Sequence, residues 1–102
     1  MKIYLDDIRF PKTLGWKIAR SFEEFCDIIK TEGKFPSEVS FDHDLGLGKT
    51  GYDAAKWMIE QDLDGVFSFP RNFKFNVHSA NPIGARNIQN ALDNYLKFKR
   101  SF

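Results

Sequence analysis

Apolar positions along the chain change period several times, and each change predicts an element. Ile3, Tyr4 and Leu5 form an unbroken apolar run closed by Asp6 and Asp7, the pattern of a strand from Lys2 to Asp6 buried on both faces of a parallel sheet. Pro11 and Gly15 punctuate a loop from Ile8 to Gly15, and Trp16 to Arg20 reads as a second, more polar strand. Ser21-Phe22-Glu23-Glu24 then has the form of a capping box, in which hydroxyl and carboxylate satisfy open amides at a helix start. Phe22, Phe25, Ile28 and Ile29 share one helical face, and Gly33 ends the helix. Glu38 to Asp42 is the third strand, apolar at Val39 and Phe41, and Gly46, Gly48 and Gly51 break the chain into a loop.

A second helix is capped at Thr50 and runs through Gln61, with Ala55, Met58 and Ile59 inward. Asp64-Gly65 marks a turn. Val66 to Arg71, broken by Pro70, is a loop or edge segment, and Phe73 to Ser79 is the fourth strand. Asn81-Pro82 opens a third helix, because Asn caps exposed amides and Pro loses nothing at the first helical position. Ile88, Leu92, Tyr95 and Leu96 form its buried stripe, followed by a basic, partly aromatic tail from Lys97 to Phe102. Strands alternating with helices predict an α/β fold with a parallel sheet, right-handed crossovers and helices on both faces. The whole chain, 1–102, is expected to form a single domain.

Composition adds limits. Hydrophobic content of 42% with 28% charge suits a globular domain, while a net charge of +1 implies no strong non-specific binding to duplex DNA or membrane. One cysteine, Cys26, excludes an internal disulfide framework and reads as core filler. The opening Met1-Lys2-Ile3-Tyr4-Leu5-Asp6-Asp7 lacks the apolar region of a signal peptide, and no run reaches membrane-spanning length, so a reduced, cytoplasmic setting is expected.

Three of the four predicted strands end in chemistry: Asp6-Asp7, Asp42-His43-Asp44 and His78-Ser79. Ligands in open α/β sheets bind beyond the carboxyl ends of the strands, so these residues are expected on one rim. Carboxylates gathered there repel unless a proton or cation compensates. Asp6, Asp7, Asp42 and Asp44 are therefore candidate ligands for a divalent metal, with Mg²⁺ favoured by hard oxygen donors and Mn²⁺ or Zn²⁺ kept open by the imidazoles. His43 and His78 are candidate general acid and base beside Asp42. Arg9, Ser79 and the helix start at Asn81 are candidate phosphate contacts. Each has a plainer reading, as a capped turn, an Asx-turn, a structural histidine or a solvated arginine. The coincidence of three strand ends favours the chemical one.

These residues resemble the receiver domain of two-component signalling. Asp6 and Asp7 match its acidic pair, Asp42 its phospho-acceptor, Gly51 its loop glycine, and Ser79-Ala80 the hydroxyl residue and alanine that end its fourth strand. The resemblance implies a flavodoxin-like sheet, with four parallel strands in the order 2-1-3-4 and about three helices. The pattern lacks the fifth strand and its lysine, while His43, Asp44 and His78 are additions. Leu5-Asp6-Asp7-Ile8-Arg9, Phe41-Asp42-His43-Asp44-Leu45-Gly46, Gly51-Tyr52-Asp53 and Val77-His78-Ser79-Ala80-Asn81-Pro82 together resemble a narrower family, the cyclic-phosphate-processing receiver-like domains associated with RNA repair and phage-borne genes. That resemblance implies a phosphoesterase acting on a 2′,3′-cyclic phosphate end of RNA or on a cyclic nucleotide. Two alternatives stand beside it: a stand-alone receiver phosphorylated on Asp42, and a catalytically silent, phage-type adaptor. An open fourth-strand edge also makes a homodimer an expected option.

Overall fold

The computed structural model describes residues 1–101. Its elements in chain order are β1 (Lys2–Leu5), β2 (Trp16–Ala19), α1 (Phe22–Glu32), β3 (Glu38–Phe41), α2 (Gly51–Leu63), β4 (Lys74–Val77) and α3 (Pro82–Arg100). The strands are all parallel, in the order β2-β1-β3-β4. Strand order and helix count are those the receiver resemblance implies.

The strands are shorter than predicted at their carboxyl ends, and the difference places the chemistry. Asp6, Asp42 and His78 lie one residue past β1, β3 and β4. A last backbone bond still holds each: Asp6 N–H to the Ala19 carbonyl at 3.0 Å, Asp42 N–H to that of Leu5 at 2.9 Å, and His78 N–H to that of Phe41 at 2.9 Å. Their backbones are thus fixed by the sheet while their side chains project from its rim.

The helix starts behave as their caps require. Ser21 accepts from Glu24 N–H, Thr50 and Asp53 form a reciprocal capping box, and Asn81 accepts from Gly84 N–H with Pro82 following it. Two ends differ. α2 continues to Leu63, and the expected basic tail is helical through Arg100; Phe102 lies outside the described residues. Lys97, Lys99 and Arg100 suit the negative end of the helix dipole, and Lys99 is further held by Asp62 at 2.6 Å.

All three helices pack on one face of the sheet. Pairing sets Ile3 beside Val39 and Phe75, and Leu5 beside Ala19, Phe41 and Val77. These strand residues form one core with Phe25 and Ile29 of α1, Ala54, Ala55 and Met58 of α2, and Ile88 and Leu92 of α3. The alternate positions, Lys2, Tyr4, Trp16, Ile18, Ser40 and Asn76, are outside that core. Helices on both faces, and burial of β1 on both sides, are therefore not observed. The cause is local: the segment joining β1 to β2 has no helix, so that crossover delivers nothing to the second face. Tyr4 is only half-buried there and stacks on His78.

The segment after α2 is anchored from within. Asp62 accepts from the Phe69 N–H at 2.8 Å, the Tyr95 hydroxyl at 2.8 Å and the Lys99 ammonium. Burial alone would raise its carboxyl, but these bonds together hold it below the usual range. Burial and the same carboxylate push Tyr95 up to about 12. Phe35, Phe67, Phe69 and Phe73 engage one another as an aromatic cluster continuous with the core. Cys26 is buried in α1, and burial pushes its thiol up to about 11. Among the described residues no helix is long and apolar enough to cross a membrane.

Candidate active site

Asp6 is the best-anchored member of the rim. Its Oδ1 accepts from the Ile8 and Arg9 N–H groups at 2.9 and 2.8 Å, closing an Asx-turn that sends the chain back over the strand end. Its Oδ2 faces His78 Nε2 at 2.9 Å. Arg20 Nη1 donates to the Asp6 and Arg9 carbonyls at 3.0 and 2.6 Å, which pins the loop leaving β1. Arg9 in turn donates to the His78 carbonyl at 3.2 Å.

Asp42 Oδ1 accepts from the His43 N–H at 2.8 Å. The turn that follows is locked by the Gly51 N–H donating to the His43 carbonyl at 2.8 Å. Gly51 is needed there because a Cβ would overlap the Asp42 carbonyl. The first turn of α2 thus lies against the backbone that carries Asp42.

Asp6, Asp42 and His78 each offer one ligand atom within 4.8 Å of the others. Burial pushes the Asp42 carboxyl up and the Asp6 charge adds to the push, against the His43 N–H, the Ser79 hydroxyl and His78. Burial also opposes ionisation of Asp6, but the Arg9 and Ile8 N–H groups and His78 outweigh it and hold that carboxyl below the usual range. The pair is asymmetric: one carboxylate is satisfied and the other is frustrated. A divalent cation would relieve that frustration, so this donor set fits one.

The cleft at this rim is about 290 Å³ and is lined by Asp6, Asp7, Ile8, Arg9, Asp42, Asp44, Gly46 and Ala80. Asp7 and Asp44, expected to share the cation, line the cleft but lie outside the three-residue group. Asp44 is exposed and is drawn down chiefly by His43, whose Nδ1 meets its Oδ1 at 2.9 Å. Asn81 caps α3 and reaches both Asp44 oxygens at 3.4 Å. Ser79 accepts from the Asn81 N–H at 3.0 Å and lies beside Asp42.

The two histidines have separate surroundings. His43 packs against Gly84 in the first turn of α3, while His78 spans from Asp6 to Ser40 and stacks on Tyr4 with ring centroids 4.5 Å apart and planes 7° apart. A Cβ at Gly84 would overlap the His43 ring. Gly84→Ala is expected to cost about 2 kcal/mol by overpacking and to displace the His43–Asp44 pair; a denaturant melt and the His43 ring signals in NMR read both effects.

Arg20, Ser40, Tyr4 and Asn76 are the site residues the sequence reading did not single out. A signal was present in the alternation of the strands. Tyr4, Ser40 and Asn76 are in register with one another, two residues before Asp6, Asp42 and His78, and so share their face.

The chain matches the family described as "Cyclic-phosphate processing Receiver domain" over residues 1–94. No curated protein and no solved structure matches it. The chain belongs to that family.

Proposed function

Taking membership of the cyclic-phosphate-processing receiver family as premise, we propose that the protein is a phosphoesterase that opens a cyclic phosphate, on a 2′,3′-cyclic RNA end or a cyclic nucleotide. The observation that carries this reading is the convergence of Asp6, Asp42 and His78 from three strand ends, beside a cleft that Asp6, Asp42 and Arg9 line. Asp6, Asp42 and His78 would hold a divalent cation, which supplies charge neutralisation and polarises a phosphoryl oxygen. Arg9 meets the non-bridging oxygens through charge-assisted bonds, and the Ser79 hydroxyl and the start of α3 favour the same anion. His43, oriented through Nδ1 by Asp44, moves the proton between water and the departing ribose oxygen.

The test is turnover of a cyclic-phosphate-ended oligoribonucleotide and of cyclic mononucleotides with Mg²⁺, Mn²⁺ or Zn²⁺, read as appearance of the phosphomonoester. Arg9→Ala and His43→Ala are each expected to lower it about 10²-fold or more. No turnover of either substrate with any of the three ions would sink this reading. A second reading has its own support: Asp42 stands beside Asp6 at a strand end, as a phospho-acceptor beside its acidic pocket does. Under it, acetyl phosphate or beryllofluoride with Mg²⁺ produces an adduct that Asp42→Asn removes.

A further inference from the structure

The uncovered face of the sheet carries a hydrogen-bonded chain that ends at the cation-holding group. Ser40 Oγ donates to Asn76 Oδ1 at 2.6 Å. A carbonyl oxygen has no proton to return, so the single hydroxyl proton of Ser40 is committed to Asn76. Ser40 Oγ also meets His78 Nδ1 at 2.8 Å. With its proton spent, Ser40 can only accept there, and the proton on that contact belongs to His78 Nδ1.

Two observations make the assignment persistent. Ser40 is buried, with 4% exposure, so its hydroxyl is held between these two partners with little access for water. The parallel stack on Tyr4 resists rotation of the imidazole. The opposite ring nitrogen, Nε2, faces Asp6 Oδ2 at 2.9 Å, a contact to a carboxylate that carries a proton on Nε2 until a cation takes its place, within the group whose ligand atoms cluster.

We infer that Asn76 and Ser40 are positioning residues that keep His78 Nδ1 protonated, so that a cation displaces to solvent the proton Nε2 shares with Asp6 and takes Nε2 as a ligand, and that they bias the Asp6–Asp42 pocket toward Mn²⁺ or Zn²⁺ over Mg²⁺. Histidine that ligates a metal needs its other nitrogen hydrogen-bonded to set tautomer and orientation. A nitrogen donor suits the borderline ions, whereas Mg²⁺ prefers an oxygen shell with several waters retained. If the Asn76 amide were reversed, Ser40 would donate to Nδ1 instead, Nε2 would keep its proton, and His78 would not be a ligand. The inference rests on the cation-holding part of the proposed function and is independent of the reaction assigned to it.

The experiment uses the full chain labelled with ¹⁵N-histidine, with long-range ¹H–¹⁵N spectra recorded before and after Zn²⁺, and calorimetric titration with Mg²⁺, Mn²⁺ and Zn²⁺. The expected result is that Zn²⁺ shifts His78 Nε2 while Nδ1 stays protonated, and that Zn²⁺ and Mn²⁺ bind more tightly than Mg²⁺. Ser40→Ala and Asn76→Ala should weaken Zn²⁺ and Mn²⁺ about 10–100-fold and leave Mg²⁺ nearly unchanged, and Asn76→Asp, which keeps the acceptor, should restore binding. Asn76 is exposed on β4, so its variants report even if Ser40→Ala does not fold. A protonated Nε2 with metal bound, an equal loss for all three ions, or no binding of Zn²⁺ and Mn²⁺ would overturn the inference. Metal binding through His78 without turnover of cyclic phosphates would sink the reaction and leave this inference standing.

Discussion

Asp42→Asn is expected to lower cyclic-phosphate turnover by about a thousandfold or more while making the fold more stable. Both effects have one origin. The Asp42 carboxylate is buried beside the charge of Asp6, and the two together push its carboxyl up. Its ionised form therefore weakens the folded state. Asparagine keeps an oxygen for the His43 N–H and removes the charge. A carboxyl raised on folding adds most to stability below its unfolded value, and that contribution disappears as pH rises through the folded value. The advantage of the Asp42→Asn variant over the native chain should thus be widest near neutral pH and close in acid. A gain of about 1 kcal/mol is typical of replacing a strained functional group and would raise Tm by roughly 4–8 °C in a domain of this size. Thermal melts across pH alongside turnover check it; a variant that loses stability at neutral pH would contradict the electrostatic account.

Gly51→Ala is expected to damage stability and site together. A methyl group at position 51 would overlap the Asp42 carbonyl oxygen and crowd the His43 backbone. These are backbone atoms at the end of β3, so no side-chain rotation relieves the clash. Either the start of α2 moves off the sheet, breaking the Gly51 N–H bond to the His43 carbonyl, or the segment carrying Asp42 and His43 shifts. The expected cost is about 3 kcal/mol, the upper end for overpacking, with metal affinity lowered in whatever fraction remains folded. Urea denaturation with calorimetry on the folded protein measures the two separately. Unchanged metal binding would show that α2 yields and the site does not.

The elements were legible because three of the four strand runs stop at a carboxylate or an imidazole and each helix opens on a capping residue. Ser21, Thr50 and Asn81 all cap as their types predict. The rim was legible for the same reason: a residue ending an apolar run in a parallel sheet sits at the strand end. What stayed hidden depended on partners far along the chain. Ile3-Tyr4-Leu5 has the composition of a strand buried on both sides, and only the helix-free link to β2 leaves Tyr4 half open. Lys97 to Arg100 reads as a solvated tail because the holding carboxylate, Asp62, is on another helix. Ser40 and Asn76 gain meaning only once β3 and β4 are paired. The sequence likewise puts both histidines at the rim without saying how each is held; Gly84 packs against one and Tyr4 stacks on the other.

The buried thiol in α1 gives the chain an internal clock. Cys26 is the single cysteine, almost fully enclosed, with its ionisation suppressed by burial. A thiol reagent attacks the thiolate, so in the native state it has neither access nor a nucleophile to meet. Modification then proceeds only through opening of the helix layer, and its rate at saturating reagent counts openings directly. Native-state labelling therefore times the opening of the core without an added probe, and a cysteine introduced at any exposed position will be tagged alone.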